Sequence, residues 1–380
     1  MQSFFLELFG NLLNLDYKMV IMWVIGGVLI YLAIEKEMEP SLLLPLGFGA
    51  ILVNLPKSGV ITQIIEGVEE VGAFDVLFAA GIANELFPLL LFIGVGAMID
   101  FGPLLSNPHL MLFGAAAQFG IFFTISLASL FGFNIQDAAS VGIIGAADGP
   151  TAIFVANYFG SQYSGAIMVA AYSYMALVPM IQPPVIKAIT TKEERKIRME
   201  YHPKAVSKLT RILFPIIITV VVGLFAPRSV ALVGFLMFGN LIRECGVLNG
   251  LSASAQHELA NLITILLGIS IAPKLQAEQF LNFNTILIML LGLVAFVFDT
   301  VGGVMFAKAI NLFSKKKINP MIGACGISAF PMSGRVIHKM GLEEDPQNFL
   351  LMQSIGVNVS GQIASVIAGG ILLNIISRGV

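Results

Sequence analysis

The chain has 380 residues, of which 57% are hydrophobic and only 12% charged, with a formal net charge of −2. Soluble domains carry roughly 25% charged residues, so this composition describes a polytopic membrane protein with room for about ten spans of about 20 residues. It excludes a nucleic-acid binder, because no basic patch with interleaved aromatics occurs, and the two cysteines, Cys245 and Cys325, are too few and too far apart for a metal framework.

Residues 1–18 lack the basic region of a cleavable signal peptide, and Leu, Phe and Asn recur there at helical spacing, which predicts a short interfacial helix. Apolar length then predicts spans at 19–34, 41–54, 86–100, 109–132, 139–159, 164–187, 210–226, 229–242, 258–273, 284–313, 319–337 and 347–375. The segments 41–54 and 229–242 are too short to cross alone and read as re-entrant or half-helices. Non-helical backbone at membrane depth requires surrounding protein or a water-filled cavity. Glu66, Glu69, Glu70 and Asp75 lie on an amphipathic stretch with Ile61, Ile64, Ile65 and Val68, which reads as a solvated face.

Lys and Arg are absent from 58 to 186, and eight then fall between Lys187 and Arg211; a second cluster is Lys315-Lys316-Lys317. The positive-inside rule puts both loops on the cytoplasmic side of a cell membrane, and the four spans between them agree in parity.

The two halves of the chain resemble each other. Each opens with a short segment carrying Gly-Phe (Gly47-Phe48, Gly234-Phe235). Each passes through apolar spans to a glycine-rich interrupted segment and closes on a small-residue span. This predicts an all-α protein with two inverted repeats at about 41–187 and 229–378 and with discontinuous helices. The halves are 19–187 and 210–380, joined by a basic loop at 188–209. Paired interruptions at matching places in two halves point to a transporter site at the midplane. Close helix packing through small residues is the plainer reading, but it leaves the polar residues at the breaks unexplained.

The first interruption is Val141-Gly-Ile-Ile-Gly-Ala-Ala-Asp148-Gly-Pro150. A carboxylate at bilayer depth costs at least about 3 kcal/mol. Pro150 disfavours the helical region for Gly149 and suits the first turn of a new helix. The carbonyls near Gly145–Ala147 then lose their partners, and carbonyls plus a carboxylate suit Na⁺ as they suit other hard cations. The plainer reading makes Asp148 an N-cap, although Asn or Ser would cap without the charge.

The second interruption runs from Asn319 through Gly323 and Ser328 to Pro331 and Arg335. Asn319 and Ser328 offer neutral oxygens. Arg335 either pairs with an anionic substrate through its planar fork, or holds Asp148, or snorkels from a helix end near His338 and Lys339. In the last span Asn358, Gln362 and Ser365 form a polar stripe at i, i+4 and i+7, read as ion ligands or as interhelical hydrogen bonds. Tyr172 and Tyr174 sit mid-span, where they relay protons or simply pack. No metal pair, Ser-His-Asp order, P-loop or dinucleotide fingerprint is present.

The segments Gly145-Ala-Ala-Asp148-Gly-Pro-Thr, Ala171-Tyr-Ser-Tyr174-Met-Ala, Asn319-to-Arg335 and Asn358-to-Ser365 resemble the membrane β subunit of the biotin-dependent, sodium-pumping decarboxylases acting on oxaloacetate, methylmalonyl-CoA or glutaconyl-CoA. The resemblance implies a subunit that decarboxylates carboxybiotin with proton uptake and exports Na⁺. It also implies a mobile core and an oligomer-forming scaffold working as an elevator. Asp148, Tyr174, Ser328 and Arg335 would be its reaction residues. Arg335, Asn319 and Gly323 would receive carboxybiotin, and Asp148, Asn319, Ser328, Asn358 and Ser365 would bind Na⁺. Implied partners are a biotin carrier subunit, a carboxyltransferase subunit, a small membrane-anchor subunit and further copies of the chain. The competing expectation is a secondary Na⁺-coupled carboxylate transporter or a Na⁺/H⁺ antiporter, built on the same repeat logic.

Overall fold

In the computed structural model the described residues are 14–38, 40–65, 67–200 and 205–377. Most of the interfacial helix expected over 1–18 therefore lies outside them. Apart from short helices of four or five residues, the described helices are α1 (Tyr17–Glu35), α2 (Pro40–Val53), α3 (Ala73–Ala83), α4 (Leu86–Met98), α5 (Met111–Ala117), α6 (Phe119–Leu130), α7 (Ile135–Gly142) and α8 (Gly149–Tyr158). They continue with α9 (Ser164–Ile189), α10 (Lys208–Phe225), α11 (Val230–Glu244), α12 (Asn249–Leu275), α13 (Phe283–Phe313), α14 (Met332–Glu344) and α15 (Leu351–Ile376). Among the described residues seven helices are long and apolar enough to cross a membrane, or eight if α3 and α4, bent by 60° at their junction, make one span. The chain is a multi-pass membrane protein.

The one departure from an all-helical chain among the described residues is a small antiparallel hairpin, β1 (Gln63–Ile65) with β2 (Val68–Glu70), pairing Gln63 with Glu70. Gly67, at φ 82°, supplies the left-handed residue that a tight turn requires. Ile64 and Val68 are 79% and 64% exposed, so the amphipathic look of 61–75 hides no buried apolar face.

The predicted spans match the helices closely, with the expected interruptions. The segment 139–159 is divided into α7, a 3₁₀ turn over Ile143–Ala146 and α8. The segment 319–337 is a 3₁₀ stretch over Pro320–Gly326 followed by α14. Further breaks separate α5 from α6 at Gln118, and π turns sit in α3 (Phe78–Ala83) and α12 (Ala255–Leu259).

The chain divides into two compact units, Met1–Pro88 with Asn261–Leu287 and Leu89–Ala260 with Ile288–Val380. In the first, Asn54 ties the end of α2 to the stretch that closes α12. Its Nδ2 donates to the carbonyls of Ala50 and Leu275 at 2.8 Å each, and its Oδ1 accepts from Ala277 N at 2.8 Å. In the second unit α15 is central, with 72% of its apolar window buried, against 11% for α10. The reason is side-chain size. α15 presents Gly356, Ser360, Gly361, Ser365 and Gly369 inward, which lets backbones approach closely. α10 instead exposes Ile216, Ile217, Val220, Val221 and Leu224, a surface suited to lipid.

Candidate functional site

The site lies in the second unit, where the two interrupted segments meet. The 3₁₀ turn Ile143–Ala146 ends on Ala147, held left-handed at φ 51°, ψ 45°, which costs a non-glycine residue roughly 1–2 kcal/mol. Asp148 follows in extended backbone and caps α8, with Pro150 in its first turn. Asp148 is thus an N-cap, as its plainer reading held. The cap uses one oxygen only, with Thr151 N–H donating to Oδ1 at 3.4 Å.

Asp148 Oδ2 collects a different set. It accepts from Thr151 Oγ1 at 2.6 Å, Ser365 Oγ at 3.1 Å, and Ser328 Oγ and Gln362 Nε2 at 3.3 Å each. Asp148 is 4% exposed, and all four partners are buried. α8, α15 and the second break each contribute, and the two breaks are joined by Ser328 N–H donating to the Ala146 carbonyl at 2.9 Å. Asn358 holds the second break open. Its Nδ2 donates to the carbonyls of Ile327 (2.7 Å) and Cys325 (3.3 Å), while its buried Oδ1 has no partner among the described residues.

The donor set is oxygen-rich. It combines one carboxylate with three hydroxyls able to turn their lone pairs inward. That chemistry fits a hard monovalent cation such as Na⁺. The site is closely covered, since Asp148 is 4% exposed and Thr151, Ser328, Gln362 and Ser365 are each 3% exposed or less. The Tyr172 ring closes one side, and a Cβ on Gly149 would lie 2.3 Å from its Cε1.

Other expected site residues stand apart from Asp148. Asn319 caps the 3₁₀ stretch, accepting from Met321 N at 3.0 Å, and donates to the carbonyls of Arg195 (2.8 Å) and Ile197 (2.9 Å) in the basic loop. Gly323 packs on α13, where a Cβ would come 2.0 Å from the Gly303 carbonyl oxygen. Tyr174 donates its hydroxyl to the Met289 carbonyl. Arg335 is exposed on α14, and no hydrogen bond or ion pair joins it to Asp148 among the described residues. The expectation that Asn319 and Arg335 gather around Asp148 is not met in this structure, because each is directed to the loop end of its segment or to the surface.

The basic loop is clamped beside Asn319. Arg195 Nε pairs with Glu344 at 2.6 Å, and Asn348 Nδ2 donates to the Arg195 carbonyl at 2.9 Å. Arg198 grips Asp345 through two nitrogens, at 2.6 and 3.0 Å. The Arg198 guanidinium holds the Asp345 carboxyl below the ordinary carboxylate range.

Two residues beyond the expected ones emerge, Thr151 and Asp299, and one residue of the expected stripe, Gln362, reaches the carboxylate directly. Thr151 follows Asp148 by three, the position an N-cap side chain reaches. Gln362 stands on the polar stripe but acts on the carboxylate itself. Asp299, fully buried in α13, carried no signal beyond being an acid in an apolar run.

A buried carboxylate ringed by hydroxyls thus lies at the crossing of two interrupted segments of a multi-pass membrane protein. The model of the family "Na+-transporting oxaloacetate decarboxylase beta subunit" matches residues 18–376. The chain is 45% identical to the probable oxaloacetate decarboxylase beta chain of Vibrio cholerae, covering 96% of each. It is 47% identical to the methylmalonyl-CoA decarboxylase subunit beta of Propionigenium modestum, over 95% of this chain and 96% of that one. It is also 47% identical to the glutaconyl-CoA decarboxylase subunit beta of Acidaminococcus fermentans, over 93% and 92%. The chain belongs to this family, the β subunits of Na⁺-transporting decarboxylases, which are membrane components of multi-subunit complexes. The alternative of a secondary carboxylate transporter or antiporter is not favoured by these relatives.

Proposed function

We propose that Asp148 binds the transported Na⁺, with Thr151, Ser328, Ser365 and the free Oδ1 of Asn358 completing an oxygen shell at the crossing of the two breaks. The observation that carries this is the convergence of four donors from three segments on the single oxygen Asp148 Oδ2. When the cation arrives, the hydroxyls rotate their protons away and the same oxygens become ligands. Moving one charge against 100 mV needs about 2.3 kcal/mol. The step that supplies it is the decarboxylation of carboxybiotin, which needs a proton at the biotin nitrogen. Tyr174 hands on that proton, and Arg335, exposed and without an ion pair among the described residues, receives the carboxylate from the cytoplasmic side. Asn319 anchors the loop beside the entry rather than the ion.

The wider reading is an inverted-repeat elevator in the cytoplasmic membrane, with the basic loop 188–209 on the cytoplasmic side. Element order supports the repeats. A short helix (α2, α11), a π-turned helix (α3, α12), a long apolar segment (α5–α6, α13), a broken segment and a 26-residue helix (α9, α15) succeed one another in each half. The closed packing around Asp148 supports a site that opens by movement of its surroundings. The complex would include a biotin carrier subunit, a carboxyltransferase subunit, a small membrane-anchor subunit and several copies of this chain.

The test is Asp148→Asn in the assembled complex in vesicles. It should abolish Na⁺-stimulated decarboxylation and ²²Na⁺ uptake. Uptake at the normal rate by the Asn variant would remove Asp148 from the ion path.

A further inference from the structure

The helices α5 and α15 run side by side in the same direction. Leu110, just before α5, lies beside Gly356, where a Cβ would come 2.7 Å from the leucine Cδ1. Gly114 lies beside Ser360, where a Cβ would come 2.5 Å from the carbonyl oxygen. At the end of this pair nearest Lys315-Lys316-Lys317 is a cavity of about 350 Å³. Leu110, Phe113 and Ile322, all buried, give it an apolar lining, and His109, Lys316 and Lys317, all exposed, stand at its mouth. Further along the same pair is an apolar groove of about 280 Å³. Met111, Ala115 and, on α6, Phe122 border it on one side, and Ile363, Ile367 and Ile371 on the other.

The groove faces outward, since Met111, Phe122 and Ile371 are large apolar side chains left exposed. α15 rises about 16 Å from Ser360 to Ile371, and one leaflet of hydrocarbon is about 15 Å deep. The mouth of the cavity has the opposite chemistry. Lys316 pairs with Glu200 at 3.6 Å, and Lys317 donates to the Asn311 carbonyl. An ammonium carries three protons, so both lysines keep donors for an arriving anion, and an exposed ion pair is weak enough to exchange. Gln353 lines the cavity as well. Its Nε2 donates to the Met199 carbonyl at 3.0 Å, and its buried Oε1 has no partner among the described residues. Lysines at a membrane border follow from the positive-inside rule alone, but that rule makes neither a cavity behind them nor an apolar groove in line with it. A soluble carboxylate or an acidic peptide would match the lysines and leave the groove bare. Basic pockets between membrane helices take anionic lipid head groups, and a lipid fills both parts.

We propose that the cavity and groove bind one anionic phospholipid from the leaflet on the side of the basic loop. Its phosphate meets Lys316 and Lys317, a head-group hydroxyl donates to Gln353 Oε1, and one acyl chain runs along the groove between α5–α6 and α15. The lipid lies against the second break at Ile322 and against α15, the two elements that carry Ser328, Gln362 and Ser365 to Asp148. Its binding does not depend on which ion Asp148 holds.

The experiment measures by mass spectrometry the phospholipid retained per chain in the purified complex, after detergent extraction from vesicles of equal parts phosphatidylglycerol and phosphatidylcholine. Wild type should retain phosphatidylglycerol in preference. Lys316→Gln together with Lys317→Gln should weaken that preference about tenfold or more and leave retained phosphatidylcholine unchanged. Ala115→Trp fills the groove with the lysines in place, and it should lower retained phosphatidylglycerol as well. Equal retention of the two lipids by wild type overturns the proposal, and so does a preference that survives either variant. Should the double variant fail to assemble, Ala115→Trp carries the test alone. Soluble glycerol phosphate separates head group from chain. If it binds wild type as tightly as the lipid does, the groove contributes nothing and the lipid assignment falls.

Discussion

The backbone N–H of Ser328 donates to the carbonyl of Ala146 across 2.9 Å, and this one bond fastens the interrupted segments of the two halves to each other. It uses a carbonyl that the left-handed turn at Ala147 takes out of the helix ladder. It also sets Ser328 Oγ over Asp148 at 3.3 Å. The site's geometry therefore depends on backbone that is irregular in both segments, which is tolerable at this depth because protein surrounds it.

Thr151 makes the shortest contact to Asp148, 2.6 Å from Oγ1 to Oδ2. Hydrogen bonds to charged groups are worth about 1.5–3 kcal/mol, and about 1.4 kcal/mol is a factor of ten in affinity. Thr151→Val keeps the shape and removes the oxygen, so half-saturating Na⁺ for decarboxylation should rise about tenfold or more, while Thr151→Ser should stay near wild type. A Val variant with ordinary Na⁺ dependence would take Thr151 out of the shell.

Gly149 leaves no room for a methyl group beside Tyr172, since its Cβ would stand 2.3 Å from the ring. Overpacking typically costs about 1–3 kcal/mol. Gly149→Ala should lower the thermal midpoint of the detergent-solubilised protein, and Tyr172→Leu added to it should recover part of the loss. Such recovery is the coupling expected of residues in contact. Strict additivity of the two changes would contradict the packing described.

Tyr174→Phe separates a chemical role from a structural one. The hydroxyl bonds the Met289 carbonyl, and losing a single neutral hydrogen bond costs about 0.5–1.5 kcal/mol in stability. As a proton donor, Tyr174 should be worth about 10²–10⁴ in rate. The expected outcome is slow decarboxylation with Na⁺ binding intact; a wild-type rate with only a lowered midpoint would make Tyr174 structural.

The Arg198–Asp345 pair gives the basic loop a pH dependence. Asp345 is held below its ordinary range by Arg198, so the docked loop binds fewer protons than the released one. Its contribution is complete above the usual carboxylate value of about 4 and is lost as pH falls through the lower docked value. The protection of amides over 190–200, corrected for the base-catalysed intrinsic exchange rate, should therefore fall under acid conditions and not under alkaline ones. Asp345→Asn should raise exchange at neutral pH and flatten its acid dependence. An unchanged acid response in that variant would assign the effect to another group.

Arg335→Ala should raise the concentration of free carboxybiotin needed for half-maximal rate while leaving ²²Na⁺ binding unchanged, since no hydrogen bond or ion pair joins Arg335 to Asp148 among the described residues. Full activity at low carboxybiotin would exclude it from substrate binding.

Much of this site was readable along the chain. Asp148 stood out because an acid, a glycine and a proline adjoin in an apolar run, and each has a local physical meaning. Ser365 and Gln362 were visible as a stripe because helical spacing places i and i+3 on one face. The role of Gln362 was less legible, because a polar stripe serves helix packing as readily as an ion. Asp299 escaped notice for the opposite reason. It sits in an unbroken helix, and what makes it unusual is the approach of Gly120 and Gly145, more than 150 residues away in sequence.

The sequence by itself determined that the chain lives in a membrane, where its helices break, and which acid could not be justified by folding alone. These follow from local rules, namely apolar length, proline geometry and the cost of charge in hydrocarbon. Tertiary structure alone decided which polar residues meet. It placed Thr151, Ser328, Gln362 and Ser365 on one oxygen of Asp148, and sent Asn319 to the basic loop and Arg335 to the surface. Those choices depend on how close backbones can approach, which is set jointly by glycines on separate segments and cannot be read from either segment alone.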